Sequence, residues 1–70
     1  MPKPMYKLRA KMLERGVEHT DCIKALNRST GYWTDRIMQR KSFTMDEVYT
    51  LCELLNIPTS EIANYFPGTV

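Results

Sequence analysis

Three residues, Asn27-Arg28-Ser29, separate two short helical patterns, and that spacing constrains the fold more than any other feature of the chain. Upstream, Cys22, Ile23 and Leu26 fall at helical spacing; downstream, Trp33 and Ile37 stand four apart. Asn27 tolerates a left-handed backbone, and Ser29 can cap the helix that follows. Residues 16–41 therefore read as two short helices joined by a tight turn, with the rest of the chain arranged around them.

The flanking sequence supplies three more helices. Residues 1–4 hold two prolines and a lysine and read as a loose arm. Met5, Leu8, Met12 and Leu13 mark the expected buried face of a first helix, which Gly16 stops in a left-handed conformation. Glu18, His19 and Thr20 open the second helix, expected over about 19–26, and the third is expected over about 30–39. Thr44 and Glu47 then form a capping box, with Phe43 and Val48 at the positions of a hydrophobic staple. The fourth helix carries Val48, Leu51, Cys52 and Leu55 on one face, and Asn56 closes it. Ile57-Pro58 leads into a last short helix, roughly 59–66, with Ile62 and Phe66 facing in and Pro67-Gly68 ending it. The expectation is an all-α, compact five-helix bundle over residues 5–66, with 67–70 as a C-terminal tail.

Seventy residues, 43% of them hydrophobic, suffice for one small domain. Such a chain buries only about 60% of the surface it exposes when unfolded, so its core is marginal. No run approaches the roughly 20 apolar residues of a membrane span, and the N-terminus lacks the apolar region of a signal peptide. A cytoplasmic protein that does not engage the membrane is expected. Cys22 and Cys52 have only His19 as a possible companion, too few ligands for a structural zinc site. Both read as reduced thiols on the apolar faces of their helices, and no metal or cofactor is expected.

The net charge of +2 conceals an asymmetry. All ten Lys and Arg residues lie at or before Lys41 against four acidic residues there, a net of +6. The remainder carries Asp46, Glu47, Glu53 and Glu61 and no base, a net of −4. A polyanion would be drawn to the first part and repelled by the second.

With the two helices and their turn, the chain resembles the Cro/CI-type (XRE-family) helix-turn-helix DNA-binding domains of phage and bacterial repressors. The resemblance covers residues 8–66. FTMDEVYTLCELLNIP in particular looks like a phage-type subgroup of that family. The resemblance implies a lambda-repressor-like bundle whose third helix enters the major groove of double-stranded DNA. On that helix Thr30, Gly31, Thr34 and Asp35 would face base edges, with Trp33 and Ile37 turned inward. Thr30 and Thr34 can touch a thymine methyl or bond a base, and Asp35 can accept from cytosine N4; pairing with a nearby arginine is the other reading of Asp35. Gly31 costs roughly 1 kcal/mol inside a helix unless another backbone must come close, which DNA would require.

His19 stands where the family commonly has a glutamine that supports the recognition helix or touches phosphate. Arg28, Ser29, Tyr32, Arg36, Arg40 and Lys41 complete the phosphate candidates. Met38-Gln39 replaces the family's Asn-Gly turn. A twofold homodimer is expected through the C-terminal helix region, where Tyr65, Phe66 and Val70 offer apolar area. No catalytic signature is present, so an enzyme is not expected. The competing reading is a protein-binding module on the same scaffold, such as an antirepressor, an antitoxin-like partner or a host-factor inhibitor. It is motivated by Asp35 and the absence of Arg, Gln or Asn from the helix front.

Overall fold

A computed structural model of the chain describes residues 5–67; the expected N-terminal arm at 1–4 and tail residues 68–70 lie outside them. The described residues form five α-helices and no strand: α1 Tyr6–Arg15, α2 His19–Leu26, α3 Thr30–Ile37, α4 Met45–Leu55 and α5 Ile62–Tyr65, the last entered through one 3-10 turn at Thr59–Glu61. All are packed on one core, and among the described residues no helix is long and apolar enough to cross a membrane.

Four of the helices end in the same way, and the reason is local. The residue after the last turn adopts positive φ, and the next amide donates to a carbonyl five residues back, satisfying acceptors the helix leaves open. Gly16 (φ 69), Asn27 (φ 55) and Asn56 (φ 56) take this position after α1, α2 and α4. Their following amides donate from Val17 to Met12, Arg28 to Ile23 and Ile57 to Cys52, at 2.9, 3.3 and 2.8 Å. After α3 the position falls to Gln39 (φ 61), and Arg40 N–H donates to the Asp35 carbonyl at 2.9 Å. The helix therefore stops at Ile37, two residues short of the expected 39. A glutamine here adopts the backbone that glycine takes without steric cost.

The helix starts are equally local. Ser29 Oγ accepts the Tyr32 N–H at 3.2 Å, and Thr44 with Glu47 makes both halves of a capping box, at 3.2 and 2.9 Å. Glu18 caps α2 through the reciprocal bond, its own N–H donating to Asp21 Oδ2 at 2.9 Å. Phe43 and Val48, the staple pair, are both buried.

Leu8, Met12, Cys22, Trp33, Ile37, Leu51, Leu55 and Phe66 belong to one core, with Ile23, Leu26 and Tyr65 packed partly against it. An aromatic chain crosses it. His19 meets Trp33 edge-on, Trp33 meets Phe43, and Phe43 meets Phe66 edge-on, with centroids 5.8, 5.7 and 5.7 Å apart. The start of α2, the body of α3, the loop before α4 and the end of α5 are thereby fixed to one another.

Two expectations about the core are corrected. Leu13 does not join the buried face of α1; it is 85% exposed, because it sits about 100° around the helix from Met12 and falls off the stripe that Leu8 and Met12 define. Phe66 does not add surface area at the C-terminal helix. It is fully buried, edge-on to Phe43, and Tyr65 is half-buried against the core. Val70 lies outside the described residues.

Candidate nucleic-acid interface

Capping by Ser29 fixes where α3 begins and which residues its first turn presents. Thr30 and Gly31 are exposed there, and Trp33 and Ile37 point into the core, 2% and 4% exposed. A β-carbon added at Gly31 would meet nothing within 4 Å, and its φ is not positive. Nothing inside the folded chain therefore requires glycine at this position.

Thr34 and Asp35, the other two base candidates, are half-buried. Thr34 Oγ1 donates to the Thr30 carbonyl at 2.9 Å, which uses its proton and leaves its oxygen able to accept. Asp35 Oδ1 lies 3.5 Å from Arg40 Nη1. Of the two readings of Asp35, pairing with an arginine is the one present. It couples a residue assigned to bases with one assigned to phosphate.

Three phosphate candidates gather around an acid that the sequence pattern marks only as part of a cap. Glu47 is 7% exposed, and its carboxylate accepts Tyr32 O–H at 2.5 Å and Thr44 N–H at 2.9 Å, with Arg28 Nε at 3.9 Å. The Tyr32 ring in turn carries both Arg36 and Arg28, whose guanidinium carbons lie 3.6 and 4.7 Å from its centre. Burial pushes the Glu47 carboxyl up, but the bonds from Tyr32 and Thr44 and the charge of Arg36 outweigh it, so its pKa lies below the ordinary carboxylate value. The Tyr32 phenol is raised, chiefly by the same bond to Glu47. No local pattern announces this cluster, since Tyr32 and Glu47 are fifteen residues apart. Arg36 is half-buried and its Nε is buried without a hydrogen-bond partner. Its guanidinium belongs to the joint between α3 and α4.

His19 also has an internal task. Trp33 Nε1–H donates to His19 Nδ1 at 2.8 Å, so the neutral ring carries its proton on Nε2 and offers that N–H as a donor. Desolvation, with a smaller contribution from Arg9, lowers its pKa, which favours this neutral form. Arg9 reaches toward the same region, its Nη2 3.4 Å from Met38 Sδ.

The cations that remain at the surface around α3 are Arg28 at its start and Arg40 and Lys41 after its end. Lys11, by contrast, is drawn to Glu14 at 3.1 Å and lies over the Tyr65 ring. Cys22 and Cys52 are free and buried; burial, with a contribution from Asp21, pushes the Cys22 thiol up to about 11. No group of His, Cys, Asp or Glu that could hold a metal occurs among the described residues. The chain matches no family model, no curated protein and no solved structure.

Proposed function

We propose that the chain is a sequence-specific double-stranded DNA-binding transcriptional regulator of the lambda-repressor-like helix-turn-helix type, a phage or prophage repressor. The first turn of α3 enters the major groove, and the bound protein occludes the promoter. The observation that carries this reading is the open first turn itself: Thr30 and a glycine that the fold does not require are exposed between exposed Arg28 and exposed Arg40 and Lys41. Gly31 lets the helix backbone come close to a base edge, Thr30 meets bases directly, and Thr34 accepts through its free lone pairs. Arg28, Lys41 and the Nε2–H of His19 bond phosphate oxygens. Arg40 does so on release from Asp35, which costs little because the pair is solvent-exposed on the arginine side.

A genome-fragment selection at moderate salt tests this. One recovered duplex motif, with half-sites about 34–36 Å apart for a twofold dimer, supports the reading; recovery of no duplex when the selection is repeated at low salt refutes it.

One observation favours a protein-binding module instead. Tyr32 is bound to Glu47, Arg36 lies over the Tyr32 ring and Asp35 pairs with Arg40, which leaves few strong base readers on the front of α3. In that case a host protein, and no DNA, is retained by the purified chain.

A further inference from the structure

Tyr32 stands among the expected phosphate contacts, yet as folded it has no proton to give one. A phosphate oxygen only accepts, and the hydroxyl proton of Tyr32 is donated to Glu47 Oε2 at 2.5 Å. The residue is held at its other end as well, because its backbone N–H donates to Ser29 Oγ at 3.2 Å. What this fixed ring carries is arginine. The Arg28 guanidinium carbon lies 4.7 Å from its centre and that of Arg36 3.6 Å. Two cations on one ring repel each other, and the Glu47 carboxylate, 3.9 Å from Arg28 Nε, offsets that repulsion. Arg36 is half-buried in the α3–α4 joint, whereas the Arg28 side chain is 54% exposed at the start of α3.

We propose that Glu47 and Tyr32 are positioning residues for the phosphate contact of Arg28: the acid of α4 pins the tyrosine of α3, and ring and acid together hold the arginine beside the open first turn. The proposal rests on the regulatory reading and gives Tyr32 a role through Arg28 in place of a contact of its own. Glu47 meets Arg28 at Nε, and the Nη nitrogens keep their own N–H donors for a phosphate oxygen. An unrestrained arginine gives up rotamer freedom when it meets its phosphate, which lowers affinity roughly two- to tenfold; here that ordering is completed when the chain folds.

A double-mutant cycle on the selected duplex tests this, with Arg28→Gln made in the parent, in Tyr32→Leu and in Glu47→Gln. Glu47→Gln removes the charge beside Arg28 and keeps an amide oxygen to accept the Thr44 N–H, so its cap survives and it serves where the leucine variant does not fold. Arg28→Gln should weaken binding about tenfold in the parent and about threefold or less in each of the other two backgrounds. In the free chain, NMR relaxation should find the Arg28 Nε–H more mobile in Tyr32→Leu than in the parent. Equal losses in all three backgrounds would overturn the proposal. So would a larger loss in Glu47→Gln, which would mean that the acid withholds Arg28 from phosphate, or equal Nε–H mobility in the parent and Tyr32→Leu. A parent chain that binds no duplex ends the regulatory reading and the proposal with it; a parent that binds while the losses stay equal ends the proposal alone.

Discussion

Replacing Gly31 by alanine separates the stability of the fold from its use. Gly31 lies in the first turn of α3, its φ is not positive, and a β-carbon there would meet nothing within 4 Å. Alanine therefore enters without strain and removes backbone freedom from the unfolded chain, a gain of about 0.5–1 kcal/mol. For a domain of this size each kcal/mol moves the thermal midpoint by about 4–8 °C, so calorimetry should record a rise of about 2–8 °C. Binding should move the other way. If the first turn of α3 lies against a base edge, the new methyl occupies the space of closest approach, and affinity for the selected duplex should fall by about tenfold, or about 1.4 kcal/mol. Fluorescence anisotropy on the same samples reads that loss. A variant that is more stable and binds as well as wild type would refute the argument for close approach, and a less stable variant would refute the described local geometry.

Leu8→Ala, at a fully buried site, should cost about 2–5 kcal/mol, whereas Leu13→Ala should stay within about 0.5 kcal/mol of the parent; denaturant titration separates them, and equal costs would place Leu13 in the core after all. Glu47→Ala removes half of a capping box and the acceptor of Tyr32, and a loss of about 2–3 kcal/mol is expected in the same assay; a loss below about 0.5 kcal/mol would dismiss Glu47 as the hub of the α3–α4 joint. His19 has a lowered folded pKa, so the unfolded chain takes up its proton first on acidification. Its contribution to stability should be complete above pH 6.5 and decline as pH falls below that value, and His19→Gln should lack that part of the pH profile; an identical profile in the variant would contradict the bond from Trp33.

What could be read from the residues alone was what depends on a few neighbours in sequence. The left-handed stops at Gly16, Asn27 and Asn56, the cap at Ser29 and the Thr44–Glu47 box are each decided within about five residues, and all stand where the pattern put them. The inward faces of Trp33, Ile37, Val48, Leu51 and Leu55 follow from helical period alone. Periodicity misleads at Leu13, an apolar residue that stands beside the stripe without belonging to it. It also gives no warning that Gln39 takes the left-handed role after α3, because the usual glycine signal is absent.

The site was less legible, since its side chains are claimed by distant partners. Tyr32 is held by Glu47 from α4, His19 by Trp33 across the turn, and Phe66 by Phe43 through the core. Sequence lists such residues as available; folding commits them. Thr30, Gly31, Arg28 and Lys41, which take no such long-range hydrogen bond, are the positions that remained exposed as read, and Arg28 alone of these leans toward Glu47.

The regulatory reading is tested most directly by titrating one selected duplex at several salt concentrations with the parent chain and with the triple variant Arg28→Gln, Arg40→Gln, Lys41→Gln. Every phosphate that the variant no longer neutralises should reduce the slope of log affinity against log salt by about 0.9, so the variant should bind more weakly at low salt with a slope shallower by about 2–3. Unchanged affinity and slope, or a parent chain that fails to bind the duplex at low salt, would contradict it.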